Sequence, residues 1–577
     1  GDKKIGALSS FTNPHDMVLR EGRLVVGFGA FFTNSGTLEI AGDLEVHSEG
    51  WPHSGVSFFN DGIIRKSAGA GVAVIDGFDL RGSGTFEVNA GILKFTGDRQ
   101  LTFTETTRFL GEGVHRFDTT GAVVFERLTA LGGNLEFARG SFQSLFFGTF
   151  EPTLEITGHV TWSGGSLSGN WSVGGTGSLD IVEGAVAKKL GSGSILEVFD
   201  NQGAMTIEDT AVELAIWNWR NRGSLEIRGD STFSTPATGA TLENDGHFRR
   251  HGSASEAGVG FTLANGSAGT VSIESGTWRF GFSGFEPNSA HRNHGLIEVS
   301  SGATLALPYF LENHGRIDLH GALETSYLNN HGTLHVSGPD ARFPLNTNVR
   351  NTSSGRIEIV DGAQSGSAVV LVNEGTVEVR DGSRFVAFMS EGNSGVIDIA
   401  SGSAMTAWAF EFDNRGTIRG QGELSGISTL RNFGILEAGN AADPLDIVSN
   451  LSLMPGGELV VDLNAFGTFA PLTVHGTVDF GGTLRVRNGG MPLAIGGSFR
   501  IMQSLGYGSG GQAFDEIILE GFGTGVVLTP EYDAGQMQLR VAAVPEPGTY
   551  VLFGMGGLCL AWVRRRRGVL AVSRSAG

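Results

Sequence analysis

Two sets of titratable side chains recur at fixed places in this chain, and each would support chemistry if folding brought its members together. The first is a series of carboxylates, Glu39, Glu226, Glu298, Asp318, Glu358, Glu378, Asp398 and Glu437, each in the sixth position of a recurring seven-residue phrase. Carboxylates converging in twos or threes, with a basic residue beside them, can act as general acid and base on a glycan, and in a ladder they can hold calcium. The second set is His294, His314 and His331, each in the second position of three consecutive phrases. Stacked in register, they would be a candidate site for zinc, nickel or copper. For both sets the plainer reading is a solvated face, because spread along a column the groups do not form a cleft. Acids about 4.8 Å apart repel by only about 0.9 kcal/mol in water. No metal and no cofactor is therefore expected.

What must position these residues is the phrase itself. It reads "NSGTLEI" at Asn34, "NQGAMTI" at Asn201, "NRGSLEI" at Asn221, "NDGHFRR" at Asn244, "NHGLIEV" at Asn293, "NHGRIDL" at Asn313, "NHGTLHV" at Asn330, "NEGTVEV" at Asn373, "NSGVIDI" at Asn393, "NRGTIRG" at Asn414 and "NFGILEA" at Asn432, with "SSGRIEI" at Ser353 a variant. The starts recur about every 20 residues, the signature of a repeat architecture. Asn and Gly tolerate positive φ, which predicts a tight turn. The four residues after it alternate outward and inward, as a strand with one buried face requires. In "NHGRIDL" the inward pair is Ile317 and Leu319; in "NSGVIDI" it is Ile397 and Ile399. One coil cannot cover such a pair, whereas stacked coils can, each strand pairing in parallel with its counterparts above and below. The chain is read as all-β: a parallel β-solenoid of roughly 20 coils over residues 1–438. Independent β-sandwiches would show strands at shorter spacing without one phrase locked to a turn.

After Ala438 the cadence changes. Residues 439–541 read as a β-rich module that caps the solenoid, whose last coil would otherwise expose a strand edge. Through "LTVHGTVDFGGTLRV" it resembles the closing segments of β-helical surface proteins and autotransporter passengers. An autotransporter itself is disfavoured because no run of alternating barrel strands follows Val541.

Composition narrows the function. The chain has 577 residues, with 91 glycines and only 15 prolines and without a Gly-X-Y period, as in a turn-dense β protein. Up to Val563 it carries 35 basic against 60 acidic residues, a net charge of −25, which gives no reason to seek nucleic acid or anionic lipid. The sole cysteine, Cys559, excludes a disulfide framework within the chain. P-loop, zincin and nucleophile-elbow motifs are absent. The GxGxxG-like "GYGSGG" at Gly506 precedes a strand-like run where a dinucleotide site needs a helix. Tryptophans 162, 171, 217 and 219 read as core, with sugar stacking the alternative. "RGD" at Arg228 reads as a strand end and its turn.

The chain closes with "VPEPGTYVLFGMGGLCLAWVRRRR". Residues 548–563 are uncharged and mostly apolar; as a helix they span about 24 Å against a hydrocarbon core of about 30 Å. Arg564, Arg565, Arg566 and Arg567 form a block that the positive-inside rule keeps in the cytoplasm, so the body lies across the membrane. The order of these parts resembles the PEP-CTERM sorting signal of Gram-negative bacteria. That resemblance implies recognition by an exosortase through Val544, Pro545, Glu546, Pro547 and Gly548, and processing nearby. It also implies export to the cell surface or a polysaccharide-rich matrix, with the short C-terminal transmembrane helix as a transient anchor. The segment 542–567 is read as this signal and 568–577 as a cytoplasmic tail, longer than the abrupt end usual for the family. The opening "GDKKIGALSS" shows no leader, which suggests a removed signal peptide or a truncated N-terminus. The expected function is an exported structural or adhesive protein of the surface or biofilm matrix. Its partners would be the exosortase, exopolysaccharide and, transiently, the membrane, and not nucleic acid. The alternative is a polysaccharide lyase or hydrolase on the same scaffold.

Overall fold

The computed structural model describes residues 1–49, 56–145, 154–234, 239–281, 290–343, 347–364, 369–389, 391–438, 444–464, 472–490, 493–508, 513–523, 526–533 and 535–543. These residues form strands and turns, with no helix among them, in a parallel β-solenoid of about 20 turns. Two compact units, Gly1–Val369 and Val370–Gly577, are distinguished.

In the first unit a typical coil consists of three short strands, Phe310–Asn313, Arg316–Leu319 and Ala322–Glu324. The first two pair in parallel with the equivalent strands of the coils before and after, so that Ile317 lies opposite Ile297 on one side and Leu334 on the other, and the third pairs with Thr304–Ala306 of the coil before. This register puts every inward branched side chain against its copies: Ile297, Ile317, Leu319 and Leu334 are fully buried. Each such residue contributes about 1.5–3 kcal/mol relative to exposure, which is why stacking rather than local propensity holds the coil. Between Phe86 and Trp171 large aromatics fill the interior. Phe95 stacks on Phe117 at 5.0 Å and Phe137 on Phe142 at 4.2 Å, and Trp171 meets Phe125 edge-on. Tryptophans 162, 171 and 219 belong to this core. Trp217 is only half-buried, its Nε1–H donating to the Gly193 carbonyl.

The repeated phrase works differently from the turn expected of it. Its asparagine is the buried last residue of a strand, as in Asn218–Asn221, Phe310–Asn313 and Tyr327–Asn330. The side-chain amides form a ladder: Nδ2 of Asn201 donates to Oδ1 of Asn221 at 2.7 Å, and the chain continues through Asn244, Asn265, Asn293, Asn313 and Asn330 to Asn351. The second amide hydrogen goes to a backbone carbonyl of the next coil, for Asn293 that of Arg316 at 3.1 Å. The asparagine's own carbonyl accepts two backbone N–H groups from that coil, as Asn293 does from His314 and Gly315. Nor is the phrase's glycine in the left-handed region. A Cβ on Gly315 would lie 2.1 Å from the carbonyl oxygen of Gly295, and one on Gly332 would lie 2.0 Å from that of Gly315. Glycine is needed here for the close approach of successive coils, not for its φ.

The second unit carries its own ladder, Asn373 to Asn393, Asn414 and Asn432. Parallel pairing continues past Ala438, through Glu458–Asn464 with Thr483–Gly489 and Leu472–Asp479 with Ser498–Tyr507. Antiparallel pairing begins only with Val526–Asp533 and Gln536–Ala543. The latter strand lies along the outer edge of Ser498–Tyr507 and covers it.

Candidate functional sites

The outward carboxylates stand in register, but not as an acidic ladder. In the first unit one column reads Glu226, Arg249, Ser272, Glu298, Asp318, His335 and Glu358 across successive strands. In the second a column reads Glu378, Asp398, Arg419 and Glu437. Most of the acids are held by cations. Glu226 lies 2.5 Å from Arg228, and that bond holds its carboxyl below the usual range against the effect of burial. Burial alone would raise Glu358, but His335 at 2.8 Å and Arg356 at 2.6 Å lower it. Asp318 pairs with Arg316 at 2.7 Å and Asp398 with Arg419 at 3.1 Å. Arg380 reaches Glu378 at 2.5 Å and Asp398 at 3.9 Å. Glu437 lies 3.8 Å from Arg487, and Glu39 accepts a bond from Ser67. Arg228, Arg316, Arg356 and Arg380 lie off the phrase's sixth position, whereas Arg419 and His335 occupy it in coils that carry no acid there, so the spacing of the acids alone did not reveal them.

His294, His314 and His331 form the predicted column. Their rings stack face to face, with centroids 4.8 Å and then 4.5 Å apart and planes within 7°. Parallel rings send their nitrogens out side by side instead of toward one point, so a single ion held by all three would need the rings to turn. Burial, and then the charges of His331 and His294, hold His314 below the usual imidazole value. The Nδ1 of His331 is 3.2 Å from the Thr352 hydroxyl. Among the described residues, the grouping whose ligand atoms do converge is Glu45, His47 and Asp76, which the repeat did not signal. There the His47 Nδ1 lies 2.9 Å from Asp76 and 3.5 Å from Glu45, a carboxylate-held imidazole.

A groove on a different face gathers unlike charges. A cavity of about 530 Å³ is lined by residues including Arg279, Ala322, Glu324 and Arg342, and a neighbouring hollow of about 360 Å³ adds Asp340. Its lining includes the register partners Thr304 and Ala322 of two successive strands, both short side chains. Arg279 spans the gap, bonding Glu256 at 3.0 Å and approaching Glu324 to 3.5 Å. Arg228–Asp230, the "RGD", is a strand end and turn, with Gly229 at φ +59° and Asp230 accepting from Ser253 and Ser255.

These sites sit on a parallel β-solenoid whose repeated outward acids are mostly paired with cations. The terminal segment is more specific. The PEP-CTERM protein-sorting motif matches residues 543–567, which include Val544 to Gly548 and Arg564 to Arg567 and lie, but for Ala543, outside the described residues. The chain thus carries a sorting signal that implies an exported, cell-surface protein recognised by an exosortase. No curated protein matches the chain. Among the described residues no helix is long and apolar enough to cross a membrane.

Proposed function

We propose that the protein is a non-enzymatic structural or adhesive component of the cell surface or extracellular polysaccharide matrix. Its apolar segment 548–563 holds it in the inner membrane until an exosortase, reading Pro545, Glu546 and Pro547, processes it. The observation that carries this reading is the sorting motif at residues 543–567 at the end of an all-β body. The pairwise neutralisation of the outward acids supports it, since carboxylates held by arginine are poor general acids. Residues 439–541 serve as the closing module, and His294, His314 and His331 as a solvated column without a metal.

The groove at Arg279, Glu324 and Arg342 favours the second reading, a lyase or hydrolase, because it places acids and arginines in one concavity. Incubating the full chain with exopolysaccharide from the producing bacterium, and following both binding and chain length, separates the two. Binding at constant chain length is expected. Depolymerisation that is lost in Glu324→Gln would replace the structural reading with the enzymatic one.

A further inference from the structure

Among the described tryptophans Trp408 stands apart. Trp162, Trp171, Trp219 and Trp278 are buried and Trp217 is half-buried, whereas Trp408 is 51% exposed, between Phe410 at 81% and Phe388 at 39%. The exposure is built into the backbone. In the strand Ala404–Asn414 the inward residues are Met405, Ala407 and then Phe412. Between the last two, four consecutive residues, Trp408 to Glu411, send no buried side chain into the core. The register with Glu423–Asn432 slips between Thr406 and Ala409, a bulge of the kind that re-aims side chains. Gly426, at φ +81°, lies opposite in the next coil; a Cβ there would sit 2.6 Å from Thr406 Cγ2 and 3.2 Å from Trp408 Cδ1. One side of the indole therefore rests near bare backbone. Phe388, its partner in register, meets it edge-on at 5.3 Å and 66°. The indole is braced on two sides and its remaining surface is open.

We propose that Trp408, Phe410 and Phe388 form a stacking platform for a neutral hexopyranose polymer. This rests on the reading of the protein as a matrix component and names the site and ligand class that reading lacks. A pyranose ring presents a face of weakly positive C–H groups that matches the negative face of an aromatic ring, while its hydroxyls need polar neighbours. The neighbours are present. Thr406 and Ser425 share a hydrogen bond at 3.2 Å, and Glu411 lies 2.8 Å from Arg431. The exposed aromatic surface, on the order of 350 Å² from these three side chains, falls well short of the roughly 800 Å² per partner of a stable protein interface. A body of net charge −25 disfavours nucleic acids, anionic lipids and uronate-rich glycans.

The test is affinity electrophoresis of the full chain in mild detergent, through gels containing hydroxyethylcellulose, dextran or alginate. Retardation by a neutral glycan is expected, weakened about tenfold in Trp408→Ala and largely kept in Trp408→Phe. Glycan should also shield Trp408 fluorescence from acrylamide in wild type. Neutral-glycan binding unchanged in Trp408→Ala and Phe410→Ala would overturn the platform and leave the matrix reading standing. Retardation by alginate alone would overturn the ligand class. Retardation by none of the three would overturn the platform together with the glycan-binding half of the proposed function. A dimer that Trp408→Ala disperses would show a protein-docking surface instead.

Discussion

Two buried histidines that the repeat does not mark make the fold sensitive to pH. His115 and His291 are buried, and burial lowers each from 6.5 to about 4. His115 faces two carbonyl oxygens, of Phe86 at 3.0 Å and Asn134 at 3.3 Å, which would favour a doubly protonated ring, yet desolvation outweighs them. His291 accepts the Leu263 N–H at Nδ1. Each imidazole binds its proton less firmly folded than unfolded. Between about pH 6.5 and pH 4 the unfolded chain therefore carries more protons, and stability falls as the pH drops, by roughly 3 kcal/mol per imidazole at the lower end. Urea unfolding followed by fluorescence from pH 7.5 to 4.5 should show this fall, flattened in His115→Gln and His291→Gln. Equal pH slopes in wild type and both variants would count against it. The sequence could not single out these two residues, because a histidine at an inward position looks like any other until its burial is known. The exposed column at His294, His314 and His331 was legible because it shares the phrase's period.

At the scale of the coil, period and inward pairs were readable because alternation and a 20-residue recurrence follow directly from stacking. The role of the phrase's two marker residues was not. Asparagine and glycine are the usual turn formers, but here the asparagine caps a strand inside the core and the glycine makes room for the neighbouring carbonyl. Asn13 and Asn60 bond to Asn34 on either side in a short ladder of their own, and Asn265 and Asn351 stand in the ladder from Asn201; the phrase did not mark Asn265 and Asn351 because their glycine of close approach comes four residues later. Replacing Asn313 with Ala leaves one amide hydrogen of Asn293 and the side-chain oxygen of Asn330 without their buried partner, a loss of about 2–4 kcal/mol. Gly315→Ala forces two backbones apart and should destabilise by at least about 3 kcal/mol. Because repeats unfold locally, both variants should also be nicked by protease near these coils before the rest of the chain is cut. Wild-type urea midpoints in both variants would refute the ladder and close-approach account.

For the whole molecule, the body and its terminal segment answer different questions. The body is a net-acidic β surface on which most of the repeated outward acids are paired with cations, and its proposed binding feature, the Trp408 platform, became visible only once the bulge and Gly426 placed the indole outside the core. The terminal segment was legible because its three parts, Pro-Glu-Pro, a short apolar run and an arginine block, are contiguous in sequence and require no fold to be brought together. Destination therefore precedes ligand in this account. Its central claim is that residues 543–567 deliver the body to the surface. The most direct measurement is cell fractionation, with mass determination, of the wild-type chain and a Pro545→Ala, Glu546→Ala variant in an exosortase-bearing Gram-negative host. Wild type is predicted in the surface or matrix fraction without its arginine block, and the variant in the inner membrane with that block intact. Wild-type and variant chains reaching the surface alike, both retaining Arg564 to Arg567, would contradict the account.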